Sequence, residues 1–449
     1  MRKYFTMLLL MAATGCWAQE NTQEDMSEAN QLSVDLNFVT HGEMCGGGLP
    51  RSADGNSSTE DRSSFLFGRT RLIVDYKRQG LQAHAVIQNK AVWGTKGNQS
   101  MNLYEGWVKM SARNGLFAQL GRVALSYDDE RIIGTNDFAT AALSHDVVRV
   151  GYEGYGHQAH LILAYNQNAE NVYSSTYYDN NSGAQYYKTM QTLWYHYDVP
   201  KFPLGASLLF MNVGMQAGYL EEDEHNEPST QYQKMYGGYL DFHPKYLKLE
   251  ASYYRQTGTQ VNEYKQHGPI EAWMASVKAT VKLTENNGLV VGYDYLSGDD
   301  YVPVLYGGSL GMVYHGEQKG FSPIYGSRSK FYGIMDYFYE SAYTSGFTPG
   351  LQNFYVGGFL KPTHQLKCEA TYHYLAVATN LAGLDRTLGH SVDLQASYRF
   401  SKDISLAAGY TQMMGTETMD RLKKGDSSRH ARWGWFSLVI SPSLFSSKW

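Results

Sequence analysis

The chain of 449 residues lacks a long apolar run beyond its first twenty residues. A transmembrane helix needs about 20 consecutive, mostly apolar residues, so a helical membrane protein is excluded. Hydrophobic residues make up only 43% of the chain and the mean hydropathy is −0.42. A transmembrane β-barrel keeps such a polar average, because its lipid-facing and water-facing residues alternate.

Cysteine is scarce and charge is nearly balanced. The 3 cysteines are too few for a disulfide framework. The formal net charge is −5, which argues against a nucleic-acid-binding protein. The 14 histidines show no metal-ligand spacing, and no glycine-rich phosphate loop is present, so no metal or other cofactor is expected.

The first residues resemble a secretory signal peptide. Arg2 and Lys3 precede an apolar run over 5–13, and a small residue, Ala18, marks the expected cleavage site. The alternative is a lipoprotein signal that uses Cys16, although the leucine usual before such a cysteine is missing. We therefore predict a signal peptide over 1–18, a short periplasmic segment over 19–31 and one barrel domain over 32–449.

Aromatic residues are abundant and follow strands of alternating polarity. The chain contains 37 tyrosines, which suit the interfacial girdles of a barrel. Between Leu366 and Tyr374, the even positions are apolar or aromatic and the odd positions are polar. This pattern indicates a strand with one apolar and one wet face. The same alternation predicts strands at 32–40, 65–77, 80–92, 101–112, 115–126, 145–154, 157–168, 185–198, 204–219, 230–243, 245–257, 269–283, 287–296, 351–361, 364–378, 390–400, 403–415 and 430–441.

The links between these strands alternate strictly between long and tight. Long extracellular loops and short periplasmic turns are typical of outer-membrane barrels. The pattern predicts an all-β, transmembrane, up-and-down antiparallel β-barrel of about 18 strands, with its long loops folded partly into the lumen. The long links are predicted at 41–64, 93–100, 127–144, 169–184, 220–229, 258–268, 297–350, 379–389 and 416–429.

The link over 297–350 is the longest and contains a dense aromatic segment at 331–339. Counting that segment as a strand would make the strand number odd and move the later long loops to the periplasm. It therefore belongs to a loop. Because a barrel of this size encloses a lumen too wide for side chains alone to fill, we expect this loop to narrow it.

Charged residues in the inward phase of the strands or in the long loops are the candidate pore residues. Rings of such side chains select ions in channels, although opposite charges that simply pair across the lumen are the alternative. Arg122 is in phase with the outward Leu120, so its inward orientation requires a bulge at Gly121. The candidates are Arg69, Arg71, Arg122, Asp128, Asp129, Arg131, Arg149, Asp294, Arg328, Lys330 and Asp336.

Several segments resemble the alginate-export porin family. They are Gly121-Arg122, Leu125-Ser-Tyr-Asp-Asp-Glu-Arg-Ile-Ile-Gly134, Ser144-His145-Asp146, Ala164-Tyr-Asn-Gln-Asn168, Tyr293-Asp-Tyr-Leu-Ser-Gly-Asp-Asp300 and Tyr325-Gly-Ser-Arg-Ser-Lys-Phe-Tyr-Gly-Ile-Met-Asp-Tyr337. The resemblance implies an eighteen-stranded monomeric outer-membrane barrel with a basic constriction that passes an anionic polysaccharide. A closing strand that ends in an aromatic residue, Trp449, is what the barrel-assembly machinery of Gram-negative bacteria generally recognises, so this machinery is an expected partner. Arg122 and Arg131 match basic positions of the family, and Asp128 and Asp129 match acidic ones.

Two differences from the sequence pattern of the family weaken the expectation that this chain passes the same polysaccharide. Ser329 stands where a histidine is expected, and the stretch 140–143 lacks the usual basic residue.

These observations predict a channel in the outer membrane of a Gram-negative bacterium. Its solutes would be small or polymeric and hydrophilic, including anionic saccharides, and its partners would be these solutes and membrane lipid. Catalysis is not expected, because Ser144, His145 and Asp146 are adjacent on a strand and point to opposite faces. The alternative is a surface adhesin or receptor that uses its extracellular loops.

Overall fold

The structure is a computed structural model. It describes residues 29–47, 62–95, 99–138, 142–166, 187–216, 230–261, 267–299, 303–306, 309–312, 317–327, 330–335, 338, 348–381, 383–423 and 426–449. The predicted signal peptide over 1–18 and most of the segment over 19–31 lie outside these residues and stay predictions.

Nearly all of the regular structure is β-strand. The strands are β1 (Gln31–Gly46), β2 (Arg62–Arg78), β3 (Leu81–Val92), β4 (Gln99–Ser111), β5 (Leu116–Val123), β6 (His145–Gly154), β7 (His157–Tyr165), β8 (Thr189–Asp198), β9 (Leu204–Gln216), β10 (Thr230–Phe242), β11 (Leu247–Val261), β12 (His267–Lys282), β13 (Asn287–Leu296), β14 (Pro303–Tyr306), β15 (Ser309–Met312), β16 (Leu351–Leu360), β17 (Leu366–Ala376), β18 (Thr387–Arg399), β19 (Ile404–Gly415), β20 (Ala431–Ile440) and β21 (Ser443–Lys448). A short helix, α1 (Glu417–Lys423), follows β19. No helix in the described part of the chain is long and apolar enough to cross a membrane.

The strands close into a barrel through the two ends of the chain. Apart from β14 and β15, each strand up to β20 pairs antiparallel with the next. Strand β1 pairs with β2 on one side and with β20 and β21, which follow one another along the chain, on the other. Pro442 interrupts the last strand, because proline has no N–H to donate to the ladder. Counting β20 and β21 as one, the described residues form 18 barrel strands, which confirms the predicted fold.

The polarity of the barrel is inverted relative to a soluble protein. On β18, the side chain of Leu394 is 46% exposed, whereas its neighbour Asp393 is only 4% exposed. The same holds for Tyr372 and His373 on β17, at 37% and 7%. Apolar side chains therefore cover the outer surface, and polar side chains face the interior, as the alternation predicts.

Several details differ from the sequence prediction. Strand β1 extends to Gly46 rather than residue 40, because its residues from Phe38 to Gly46 pair with β2 on one side and with β20 on the other. Cys45 therefore lies in a strand and not in a loop. The loop over 297–350 contains a small hairpin formed by β14 and β15. The last strand continues beyond residue 441 as β21. None of the described residues in 330–335 is in a strand, as the alternating loop lengths predict.

Two loops fold into the lumen and pair with each other. We call residues 124–138 the first inner loop and the described residues between 317 and 338 the second inner loop. Ile133 and Tyr325 form a parallel bridge, and the Gly134 amide donates to the Tyr325 carbonyl at 2.8 Å. Phe321 and Phe338 are almost completely buried in the same cluster as the inward side chains of the strands. The loops thereby narrow the lumen, as expected.

The inverted polarity predicts opposite effects for two neighbouring positions on β18. Leu394→Arg should lower the free energy of unfolding in phospholipid vesicles by about 2–4 kcal/mol, because it places a cation in the hydrocarbon region. Gln395→Arg is the matched control. Because Gln395 faces the interior, this substitution should change the free energy of unfolding little. Urea unfolding of the vesicle-inserted protein measures both, and equal losses would contradict the assigned faces.

Candidate functional site

Arg131 joins both inner loops to the barrel wall. Its side chain is buried, with Nε 3.3 Å from Oδ2 of Asp129 and Nη2 3.2 Å from Oδ1 of Asp294 on β13. Nη1 donates to the hydroxyl of Tyr332 at 3.0 Å, and the guanidinium carbon lies 4.1 Å from the centre of the Phe331 ring. A buried charge is tolerated only when it is paired, and this one has partners from three segments of the chain.

These partners also determine the protonation of the site. Burial alone would lower the pKa of Arg131, but Tyr332, Asp294 and Asp129 outweigh it and hold this pKa well above its ordinary value. Burial raises the pKa of Tyr332 to about 12, so this phenol remains a hydrogen-bond donor or acceptor without charge at neutral pH. Arg131 is therefore a permanent cation beside a neutral hydroxyl.

A polar network continues from Arg131 along the wall and returns to the second inner loop at Ile334. Oδ2 of Asp294 accepts from the Asn353 amide on β16 at 2.9 Å, and Oδ1 of Asn353 lies 2.9 Å from Nδ1 of His373 on β17. Nε2 of His373 is 3.4 Å from Oδ2 of Asp393 on β18. Asp393 accepts from the backbone amide of Ile334 at 3.0 Å. The segment from Tyr332 to Ile334 is thus held at both ends.

The first inner loop places two further carboxylates. Asp128 and Glu130 have φ angles of 53° and 68°, in the left-handed region that turns the chain tightly. Asp128 accepts from the Trp194 indole at 3.1 Å and the Tyr254 hydroxyl at 3.3 Å. Burial raises the pKa of Asp128 above its ordinary value, despite hydrogen bonds that lower it. Glu130 accepts from Lys330 of the second inner loop at 3.1 Å.

Arg69 and Arg71 on β2 hold the far end of the first inner loop. Both are buried, and both contact the carboxylate of Asp137, at 3.1 Å and 2.7 Å. Arg71 also donates to Gln88 at 2.9 Å. These two arginines therefore pair with an opposite charge inside the lumen, which is the alternative to ion selection, because their partner Asp137 belongs to the first inner loop.

Arg149 on β6 supports the same loop at a third point. Its Nη1 donates at 3.1 Å to the hydroxyl of Tyr127, which also lies 3.0 Å from Nδ1 of His160. The buried tyrosine therefore connects the first inner loop to two neighbouring strands, β6 and β7.

The prediction that the Arg122 side chain points into the lumen is wrong. Strand β5 keeps its alternation through Gly121 without a register shift against either neighbour. Arg122 therefore stays in phase with Leu120, which is 63% exposed on the outer surface. It forms two hydrogen bonds of 2.8 Å with Asp146 on β6 and takes no part in the Arg131 cluster. The bulge lies instead in β4, where Tyr104 is the unpaired residue.

Below the inner loops lies a cavity of 770 Å³. Its described lining holds more carboxylates than cations. The carboxylates are Asp128, Asp129, Asp198, Asp241, Glu250, Asp294, Glu369 and Asp393, and the lysines and arginines are Arg131, Lys248, Lys278 and Lys330. Lys248 and Lys278 lie 2.9 Å and 3.6 Å from Glu250, so most of these cations are already paired.

The lining of this cavity is chemically suited to polar solutes. Among the described residues, no group of three or more histidine, cysteine or acidic side chains is placed to hold a metal ion. The cavity instead combines charged groups with the aromatic rings of Trp194, Tyr239 and Tyr355. Its size falls within the range of about 300–1,000 Å³ that small-molecule sites occupy.

Comparison with known proteins identifies the fold. No family model and no curated protein matches the chain. Among solved structures, Pseudomonas aeruginosa OccK9 (OpdG) is 13% identical, with a TM-score of 0.58 over 94% of this chain and 100% of that one. The chain has the fold of this porin. The structure of P. aeruginosa OccK2 (OpdF) in complex with glucuronate is 10% identical, with a TM-score of 0.58 over 92% and 98%.

A BenF-like porin from Pseudomonas fluorescens Pf-5 is similar to the same degree, at 10% identity and a TM-score of 0.58 over 92% of this chain and 99% of that one. These likenesses concern outer-membrane porin folds and do not single out the alginate-export family.

The structure brings Asp128, Asp129, Arg131, Asp294 and Lys330 together around the cavity. Arg69, Arg71 and Arg149 contact the first inner loop elsewhere, and Arg328 and Asp336 lie outside the described residues. Sequence reasoning did not select Asn353, His373 and Asp393 as site residues. All three are polar residues at inward positions of successive strands, β16, β17 and β18, and this polarity is the sequence signal that could have identified them.

Arg131→Gln should strongly destabilise the barrel. It leaves Asp129 and Asp294 without their cation, and breaking a buried ion pair in this way costs about 3–5 kcal/mol. Arg122→Gln is the matched control, because its ion pair is partly exposed and is worth at most about 1 kcal/mol. Urea unfolding in vesicles compares the two variants. Similar losses for both would show that the Arg131 network does not hold the loops.

Proposed function

We propose that this protein is a channel of the Gram-negative outer membrane that passes small hydrophilic solutes. The observation that carries the proposal is a closed barrel with an apolar exterior, whose lumen is narrowed by two paired loops and retains a polar cavity of 770 Å³. Barrels of this strand number enclose an aqueous channel unless loops obstruct it. Membrane lipid, the barrel-assembly machinery and a monomeric state belong to the same proposal.

The solutes we propose are of saccharide size. Aromatic faces and hydrogen-bonding groups line the cavity together, a combination that suits sugar rings with their apolar faces and hydroxyl edges. The expected preference for anionic or polymeric saccharides rests on the alginate-export resemblance. The cations available for it in the described lining are Arg131, Lys248, Lys278 and Lys330, and each has a carboxylate within 4 Å.

The geometry gives no support to a hydrolase. His145 is buried and lies 2.9 Å from the Tyr187 hydroxyl, whereas Asp146 pairs with Arg122 on the outer face. The three residues Ser144, His145 and Asp146 therefore do not converge on one site. The adhesin or receptor alternative depends on the loops at 41–64 and 169–184, most of whose residues lie outside the described part of the chain.

Purified protein should produce discrete conductance steps in planar bilayers. The narrowed but water-lined lumen should pass ions continuously once a barrel inserts. Addition of glucuronate and of neutral hexoses then tests for current block by each. A barrel that stays silent at all voltages and salt concentrations would contradict the channel.

Lys330→Ala should shift ion selectivity toward cations. The substitution removes one of the few positive charges at a cavity in which carboxylates already predominate. The reversal potential in a potassium chloride gradient measures the shift. Lys361→Ala, at an exposed turn on the opposite rim, removes the same charge away from the cavity and should leave the reversal potential unchanged. Equal values for the two variants would place Lys330 outside the conduction path.

A further inference from the structure

A second cavity lies on the outer surface, at the seam where β1 pairs with β20. It has a volume of 510 Å³ and is lined in part by Met44, Gly46, Arg62, Tyr410, Arg432 and Gly434. These residues stand at the rim from which the long loops emerge. We call this cavity the seam groove. It shares no lining residue with the cavity inside the barrel.

The strand register places two arginines on either side of a glycine. Gly46 of β1 is paired with Arg62 on β2 and with Arg432 on β20. Neighbouring strands are about 4.8 Å apart, so the Cα atoms of the two arginines are roughly 10 Å apart across the groove. The glycine between them carries no side chain.

Both arginines point away from the lumen. Arg432 is in phase with Phe436, which is 43% exposed on the outer surface, and out of phase with the buried Trp433. Arg62 pairs with Gly46, which is in phase with Met44, and Met44 is 68% exposed. The groove therefore opens toward the surroundings of the barrel, directly above its apolar belt.

The lining of the groove carries net positive charge among the described residues. Its lining contains Arg62, Arg429, His430 and Arg432 and no carboxylate. Other outward arginines behave differently: Arg122 lies 2.8 Å from Asp146, and Arg255 lies 3.8 Å from Glu271. In the part of the chain that the structure describes, neither Arg62 nor Arg432 forms an ion pair.

We propose that the seam groove binds the phosphate of an outer-leaflet membrane lipid, in the manner of lipid A. Two guanidinium groups on one face present forked donors that match phosphate oxygens. The acyl chains would lie along the apolar side chains of Met44, Tyr410 and Phe436 beneath the groove. A free phosphate ion would leave this apolar surface unused, which favours the lipid. The inference rests on the proposed outer-membrane location.

The experiment is a titration of the detergent-purified protein followed by native mass spectrometry. The probes are bis-phosphorylated lipid A, the same lipid after removal of its phosphates, and inorganic phosphate. Wild-type protein should bind the phosphorylated lipid at one site, and the dephosphorylated lipid about ten-fold or more weakly, because charge-assisted contacts are lost. Tighter or equal binding of the dephosphorylated lipid, or competition by inorganic phosphate at similar concentration, would overturn the proposal.

Two variants separate the groove from general surface charge. The double variant Arg62→Gln/Arg432→Gln should weaken lipid A binding about ten-fold or more. The matched control, Lys361→Gln/Lys402→Gln, removes the same charge from exposed turns at the opposite rim and should bind as the wild type does. Equal affinities for the two double variants would contradict the site.

A steric variant tests the groove without changing charge. Among the described residues, a Cβ added at Gly434 meets only one atom within 4 Å, the Gly409 carbonyl oxygen, so there is room for it. Gly434→Phe should fill the groove and weaken lipid binding, while a heat-modifiable gel shift confirms that the barrel is folded. Unchanged binding would overturn the proposal. Bilayer conductance, measured on every variant, tests the channel separately, since the groove lies outside the lumen.

Discussion

The ion pairs of the buried Arg131 guanidinium are the interaction on which the interior of the barrel depends. A ring of 18 strands encloses more space than side chains can fill, so loops must enter it. A loop inside a barrel has to satisfy its polar groups without the regular ladder of a sheet. Arg131 meets this requirement for both inner loops at once, because its partners Asp129, Asp294 and Tyr332 come from the two loops and the wall.

The same network explains why a polar cavity remains beside the inner loops. The second inner loop is held by Tyr332 at one position and by the Ile334 amide at another, and both contacts lead to wall residues on β13 and β18. Polar attachments of this kind leave charged and hydrogen-bonding atoms facing the cavity. A purely apolar plug would have removed water from that region, whereas the observed cavity is bordered by carboxylates and lysines.

The barrel itself was predictable from the sequence, and its interior was predictable only in part. Period-two alternation is a local signal, and it located the 18 described barrel strands, while the described residues in 330–335 are outside any strand. The contacts of Asp137 with Arg69 and Arg71 join residues 68 and 66 positions apart, with no periodic pattern to reveal them. Arg122 was misplaced because an assumed bulge at Gly121 does not occur, although simple alternation gave its true orientation.

Charge on the two faces of the wall follows different rules. Inside, Arg69, Arg71 and Arg131 each find a carboxylate, since an unpaired buried cation is costly. On the outer rim, an exposed arginine is hydrated and does not need a protein partner, so it stays available to anions of its surroundings, such as lipid headgroups. The pairing of Arg122 with Asp146 shows that the chain does supply such partners on the same face. Their absence around Arg62 and Arg432 within the described residues is therefore a property of that seam, and it directs attention to what the membrane supplies there.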